Sequence, residues 1–325
     1  MTTPQRVSAI DATKGLAILG VLFVHMGFTS RFDTATLGSI ATLQRIFAWC
    51  VLAFFFASGF FHPDTKPVGS WQDFAKKRAR RLLVPCLAFS WVYKLALLGL
   101  ASSGLTPSPF SEVRRNVVEI LREAFTPATP QFYFLAYLFF IAVAIHAMLR
   151  LQVLRSDFSR WLLAAILLQS YWILPLERPH GESLSQLPLY AATYLLGIQF
   201  AKLAHRLDGS RNAHALGAAV LAASLLAVAV YRPPILHLVP PLLIFQLASC
   251  IPRWPQIPFA FLGRRSGAIY AWHTPLVMPL LSVLLTKFSL TGVPLILAMI
   301  IATLVISLTL DSLVRRFDTP GFFRL

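Results

Sequence analysis

The chain has 325 residues, of which 57% are hydrophobic and 13% charged, and its 29 Lys and Arg outnumber its 13 Asp and Glu. An ordinary soluble domain carries roughly 25% charged residues, so this composition and a mean hydropathy of +0.67 argue against a water-soluble globule. The excess of positive charge is then explained by loop bias at a membrane, not by a nucleic-acid surface, and no nucleic-acid partner is expected.

Apolar windows of about 20 residues, the length that crosses a bilayer, predict an all-α polytopic membrane helical bundle. Ten spans are expected, near 10–29, 42–61, 82–101, 132–150, 161–176, 187–204, 214–231, 235–251, 267–286 and 292–313. The first run carries Asp11, Lys14 and His25 and lacks a small-x-small cleavage site, so it reads as a retained helix and not as a signal peptide. With ten spans, the N-terminal and even-numbered connections hold 20 basic residues and the opposite side holds 8. Short cytoplasmic loops retain Lys and Arg, so both termini are expected in the cytoplasm. The long outer connection, about 102–131, contains Pro107, Pro109, Pro127 and Pro130 around an amphipathic stretch from Ser111 to Phe125. No attached soluble domain is expected, and residues 1–325 read as one transmembrane domain. Cys50, Cys86 and Cys250 lie far apart in apolar runs, without the spacing of a metal site or a disulfide framework.

Ionisable side chains inside a bilayer are costly and each needs a structural or functional reason. At about 100° per residue, Asp11, Lys14 and His25 fall on one face of the first helix, with His25 roughly 16 Å further across the membrane than Lys14. Two readings fit that geometry. In one, Asp11 and Lys14 form an interfacial ion pair and His25 bonds a neighbouring helix; in the other, His25 takes a proton from a hydroxyl. The basic run from Lys76 to Arg81 is a cytoplasmic anchor that snorkels to lipid phosphates, and Arg78 and Arg81 also share a face as a two-pronged phosphate clamp. Phe54 to Gly59 closes the second span, where Ser58 and Gly59 allow close backbone approach. The ninth span opens with Tyr270, His273 and Pro275, and the proline leaves carbonyls for a ligand or for His273.

Together these stretches resemble the acyltransferase-3 family of integral membrane O-acyltransferases. The resemblance is carried by Arg6, Asp11, Lys14, Gly15 and His25, by the aromatic run into Ser58-Gly59, and by Arg78-Ala79-Arg80-Arg81-Leu82-Leu83-Val84-Pro85. Phe132 to Leu135 and the later Tyr270, His273 and Pro275 continue it in order through nearly the whole chain. Lys14 stands where many members carry Arg; a branch resembling the fucose 4-O-acetylases has Lys there. As a point charge, Lys14 does not offer the planar fork of Arg.

The resemblance implies a multi-pass enzyme of the cytoplasmic (inner) membrane that moves an acyl group, expected to be acetyl, from cytosolic acetyl-CoA to a hydroxyl. The acceptor would be a glycan or another hydroxyl compound at the outer face, in keeping with modification of the cell envelope. It implies His25, Asp11 and Lys14 as catalytic residues, with Arg78, Arg81, Lys14, Ser58, Tyr270 and His273 binding the acyl-CoA. His25 would act as general base or as a transient acyl carrier. No metal is required, because a thioester is already activated. A small-molecule permease or flippase on the same scaffold, with His25 relaying protons, is the alternative; a partner-binding membrane scaffold is a further one.

Overall fold

A chain surrounded by lipid must satisfy its backbone hydrogen bonds within each segment, which leaves helices as the economical solution. A computed structural model describes residues 8–26, 34–63, 70–102, 132–173, 186–206, 238–250, 253–285 and 290–317, and among these every regular element is helical. In chain order they are α1 (Ser8–His25), α2 (Thr34–Ile46), α3 (Cys50–Phe60), α4 (Trp71–Ser102), α5 (Tyr133–Arg150) and α6 (Asp157–Ile173). Then follow α7 (Leu187–Arg206), α8 (Val239–Cys250), α9 (Arg253–Arg264) and α10 (Ser266–Trp272). A π-type turn (His273–Val277), α11 (Met278–Leu285) and α12 (Gly292–Phe317) complete the described elements.

Four stretches of the described residues are long and apolar enough to cross a membrane: Ser8–His25, Thr36–Phe60, Tyr133–Arg150 and Gly292–Phe317. The expected span at 42–61 is built from α2 and α3 with a turn at 47–49 between them. The span at 267–286 is likewise interrupted, by the turn at Pro275. Helix α9 occupies what was expected to be a loop, and its exposed Ile257 and Phe261, four residues apart, share an apolar face. The expected span at 214–231 and the amphipathic stretch at 111–125 lie outside the described residues.

Helix α4 has 32 residues, about 48 Å at 1.5 Å per residue. That exceeds the roughly 30 Å hydrocarbon core of a bilayer, and the basic run Lys76–Arg81 stands toward the N-terminal end of the helix. Its start is a reciprocal cap: Asp73 N–H donates to Ser70 Oγ at 3.1 Å, while Ser70 Oγ donates to Asp73 Oδ2 at 2.8 Å. The Ser70 hydroxyl, the Ser70 N–H and then Lys76 and Lys77 hold the Asp73 carboxyl below its ordinary value of 3.8. A carboxylate with a depressed pKa stabilises the fold above its unfolded pKa and loses that contribution as pH falls through the folded value. Amide protection over the first turn of α4, relative to the intrinsic exchange rate, is therefore expected to fall below about pH 3.8 in the wild type, and Ser70→Ala should show the same fraying at neutral pH.

The chain forms two compact units: Met1–Ala17, Trp49–Arg78 and Tyr137–Arg264 in the first, and Ile18–Ala48, Ala79–Ala136 and Arg265–Leu325 in the second. In the first, α3 lies directly on α7. A Cβ at Gly59 would strike the Tyr194 carbonyl, and one at Gly197 would strike the Phe56 carbonyl, so each backbone occupies the space the other's side chain would need. Phe200 and Phe245 meet Phe56 edge to face in the surrounding core, and Phe60 packs against Phe56 and Phe245 at a tilt. Gly15 and Gly263 make the same kind of contact, against the backbones of Phe259 and Asp11. Ser8 Oγ donates to Gln256 Oε1 at 3.1 Å, and Gln256 Nε2 donates to the Ala248 carbonyl at 2.6 Å, fastening α1 and α8 to α9.

In the second unit, Gln44 Nε2 donates to the Val24 carbonyl at 2.9 Å, satisfying one of the acceptors left over at the end of α1. Thr36 Oγ1 accepts from the Gly292 N–H at 2.7 Å. Helix α12 shows two stripes at four-residue spacing. Val293, Leu297, Ile301 and Val305 are exposed, whereas Met299, Thr303, Ser307 and Asp311 are buried, with Asp311 accepting from Arg315 Nε at 2.8 Å.

Candidate active site

In the second unit, the structure brings together three residues singled out in the sequence. His25, the last residue of α1, meets His273 with ring centroids 5.1 Å apart, and His273 meets Tyr270 at 5.7 Å. Phe134 and Phe132 pack edge-on against Tyr270 at 5.4 and 6.3 Å, which fixes its ring. The local cause is Pro275. The residue before a proline is steered away from the helical region, and Thr274 is extended at φ −124°, ψ 149°. The helix breaks there. His273 Nδ1–H donates to the Tyr270 carbonyl at 2.7 Å, with the Ile269 carbonyl at 3.2 Å. With its proton on Nδ1, His273 keeps a lone pair on Nε2, to which the Thr274 hydroxyl donates at 3.3 Å.

Asp11 and Lys14 form the expected ion pair within α1, Nζ to Oδ1 at 3.6 Å, with Asp11 buried and Lys14 half-buried. They belong to the first unit and His25 to the second; one continuous helix carries all three. Ser58 is half-buried on α3, and the close approach at this end of the helix is made by Gly59. Arg78 and Arg81 both stand on α4, Arg78 half-buried and Arg81 exposed. The Arg78 guanidinium lies over the Phe74 ring, 5.2 Å from its centroid.

Sequence spacing gave no sign of a second histidine pair, in the first unit. His62 Nδ1 lies 2.7 Å from the Tyr194 hydroxyl, and His62 Nε2 lies 3.4 Å from His146 Nδ1. The His146 ring stacks on Phe74 at 3.9 Å and 7°, so Phe74 carries both His146 and Arg78. Its members come from residues 62, 74, 146 and 194, too far apart for any spacing rule. The available signal was His146 itself, an ionisable side chain inside an apolar run. Among the described residues no three His, Cys, Asp or Glu side chains converge on a point where a metal ion would sit.

No curated protein and no solved structure gives a significant match to the chain. A family model described as an acyltransferase domain matches residues 7–311, a stretch that holds every site residue discussed above. With that match covering nearly the whole chain, the protein belongs to the acyltransferase-3 family and is a membrane acyltransferase.

Proposed function

We propose that the whole chain acts as one acyltransferase domain of the cytoplasmic membrane, moving an acetyl group from cytosolic acetyl-CoA to a hydroxyl of a glycan at the outer face. The observation that carries this reading is the contact of His25 with His273 beside Tyr270, in a chain of this family. In the proposed step His25 accepts the proton of the acceptor hydroxyl as its oxygen attacks the thioester carbonyl. The C–S bond then breaks, and the proton passes from His25 to the departing CoA thiolate, giving the ester and free thiol.

His273 and Tyr270 orient His25, and Asp11 and Lys14 position the donor. Arg78 and Arg81 hold CoA phosphates through charge-assisted hydrogen bonds. The positive-inside asymmetry places these arginines and both termini in the cytoplasm under this reading.

The test is labelled acetyl-CoA supplied to purified protein in proteoliposomes with a glycan extract as acceptor. The pair Arg78→Ala and Arg81→Ala is expected to raise the KM for acetyl-CoA by about tenfold or more, since hydrogen bonds to charged groups contribute roughly 1.5–3 kcal/mol each. A double variant with wild-type CoA affinity would remove the clamp, and a wild type that transfers no label to any hydroxyl compound would remove the O-acetylation reading.

A further inference from the structure

The Tyr194, His62, His146 chain has a direction. Tyr194 is fully buried, and His62 Nδ1 is its hydroxyl's hydrogen-bond partner among the described residues. An idle buried O–H is costly, so Tyr194 donates and His62 Nδ1 accepts. The pKa of His62 is pushed down to about 3, first by burial and then by Arg78, His146 and Arg160, which keeps its ring neutral with a single proton. That proton therefore sits on Nε2 and is donated to His146 Nδ1. His146 in turn carries its own proton on Nε2, where no acceptor stands among the described residues although the residue is only 4% exposed.

The charge around that N–H selects its ligand. Arg78 shares the Phe74 ring with His146, and Arg150 follows His146 by four residues on α5. Arg160, which acts on His62, is committed to the Leu154 carbonyl at 2.8 Å and to the Asp157 carboxylate at 3.4 Å. Cationic neighbours disfavour a bound cation, and a directed N–H that shares an aromatic support with an arginine fork suits a phosphate oxygen. Phe74 fixes both groups, one by stacking and one by cation–π contact.

We infer that His146 is a further donor-binding residue, presenting Nε2–H to a phosphate of acyl-CoA alongside Arg78, with its tautomer set by Tyr194 through His62. This assignment rests on the reading of acyl-CoA as the donor. It adds a neutral hydrogen-bond donor to phosphate contacts otherwise made by Arg78 and Arg81, and it gives the Tyr194–His62 pair a positioning role.

Binding of CoA, dephospho-CoA and pantetheine to the full-length protein in nanodiscs, measured by calorimetry, separates the possibilities. His146→Phe keeps the ring stack and removes the donor; it is expected to weaken CoA about tenfold and to leave pantetheine, which has no phosphate, unchanged. His146→Gln, which restores an N–H, should recover part of the loss. Dephospho-CoA identifies the contact: an undiminished effect points to the diphosphate, and a vanished one to the 3′-phosphate. CoA affinity within twofold of wild type in His146→Phe, while Arg78→Ala loses binding, overturns the assignment and leaves the donor reading standing. Equal weakening of pantetheine marks a structural role and also overturns it. A wild type that binds no CoA overturns the donor reading and this assignment together.

Discussion

His25→Ala is expected to bind acetyl-CoA with wild-type affinity and to transfer acetyl about 10²- to 10⁴-fold more slowly, the usual contribution of a positioned general base. The split between affinity and turnover is the informative part. His25 meets His273, which in turn meets Tyr270, whereas the proposed phosphate contacts are made by Arg78 and Arg81 on α4 and His146 on α5. A variant lacking the imidazole should therefore load donor and stall. Single-turnover measurement with labelled donor in proteoliposomes reads both quantities, and transfer by His25→Ala at the wild-type rate would end the role given to this residue. Label retained on the wild-type protein and absent from the variant would instead identify His25 as a transient acyl carrier.

Gly197→Val is expected to destabilise the first unit by at least about 1–3 kcal/mol, the cost of forcing extra atoms into a packed site. The direction follows from what surrounds the residue. A side chain at Gly197 meets the Phe56 carbonyl and the Phe60 amide, which are backbone atoms that cannot rotate aside. Gly59, Gly15 and Gly263 face backbone in the same way and should respond alike. Gly38, on α2, has nothing within 4 Å of where its Cβ would stand, and replacing it with Ala is expected to raise stability by about 0.5–1 kcal/mol through reduced helix entropy loss. Thermal unfolding of detergent-solubilised variants, followed by tryptophan fluorescence, compares the two positions. Equal melting temperatures for the Gly197→Val and Gly38→Ala proteins would refute the close-approach account.

The helices most legible in the sequence were those whose apolar run ended on a polar cluster. The windows at 132–150, 187–204 and 292–313 correspond to Tyr133–Arg150, Leu187–Arg206 and Gly292–Phe317, all of which run into basic residues at their C-terminal ends. The turn between α2 and α3 was not legible, because Phe47, Ala48 and Trp49 contain neither Gly nor Pro and continue the apolar run without a mark. The break at His273 was legible, since Pro275 removes a backbone donor and restricts Thr274. Helix α9 escaped because its 12 residues are too short for a spanning window and include Pro258.

The site divides in the same manner. The Asp11–Lys14 pair follows from three-residue spacing on one helix. By contrast, the contact of His25 with His273 joins residues 248 positions apart, and a single sequence carries no signal for such a pairing. The family resemblance identified both histidines individually; only the folded arrangement shows that their rings meet.

The two stripes of α12 bear on what can be measured. Its outward row is purely aliphatic and its inward row carries hydroxyls and a carboxylate, so the helix is sorted inside out relative to one from a soluble protein. In water, exposed aliphatic surface costs about 25 cal/mol per Å², and nothing on the outward row offsets that cost. The solvent is therefore part of the fold: lipid or a good mimic of it is a component of the native state, as a subunit is of an obligate dimer. An assay that changes detergent changes that component, and a rate recorded in micelles describes the protein and its surroundings jointly.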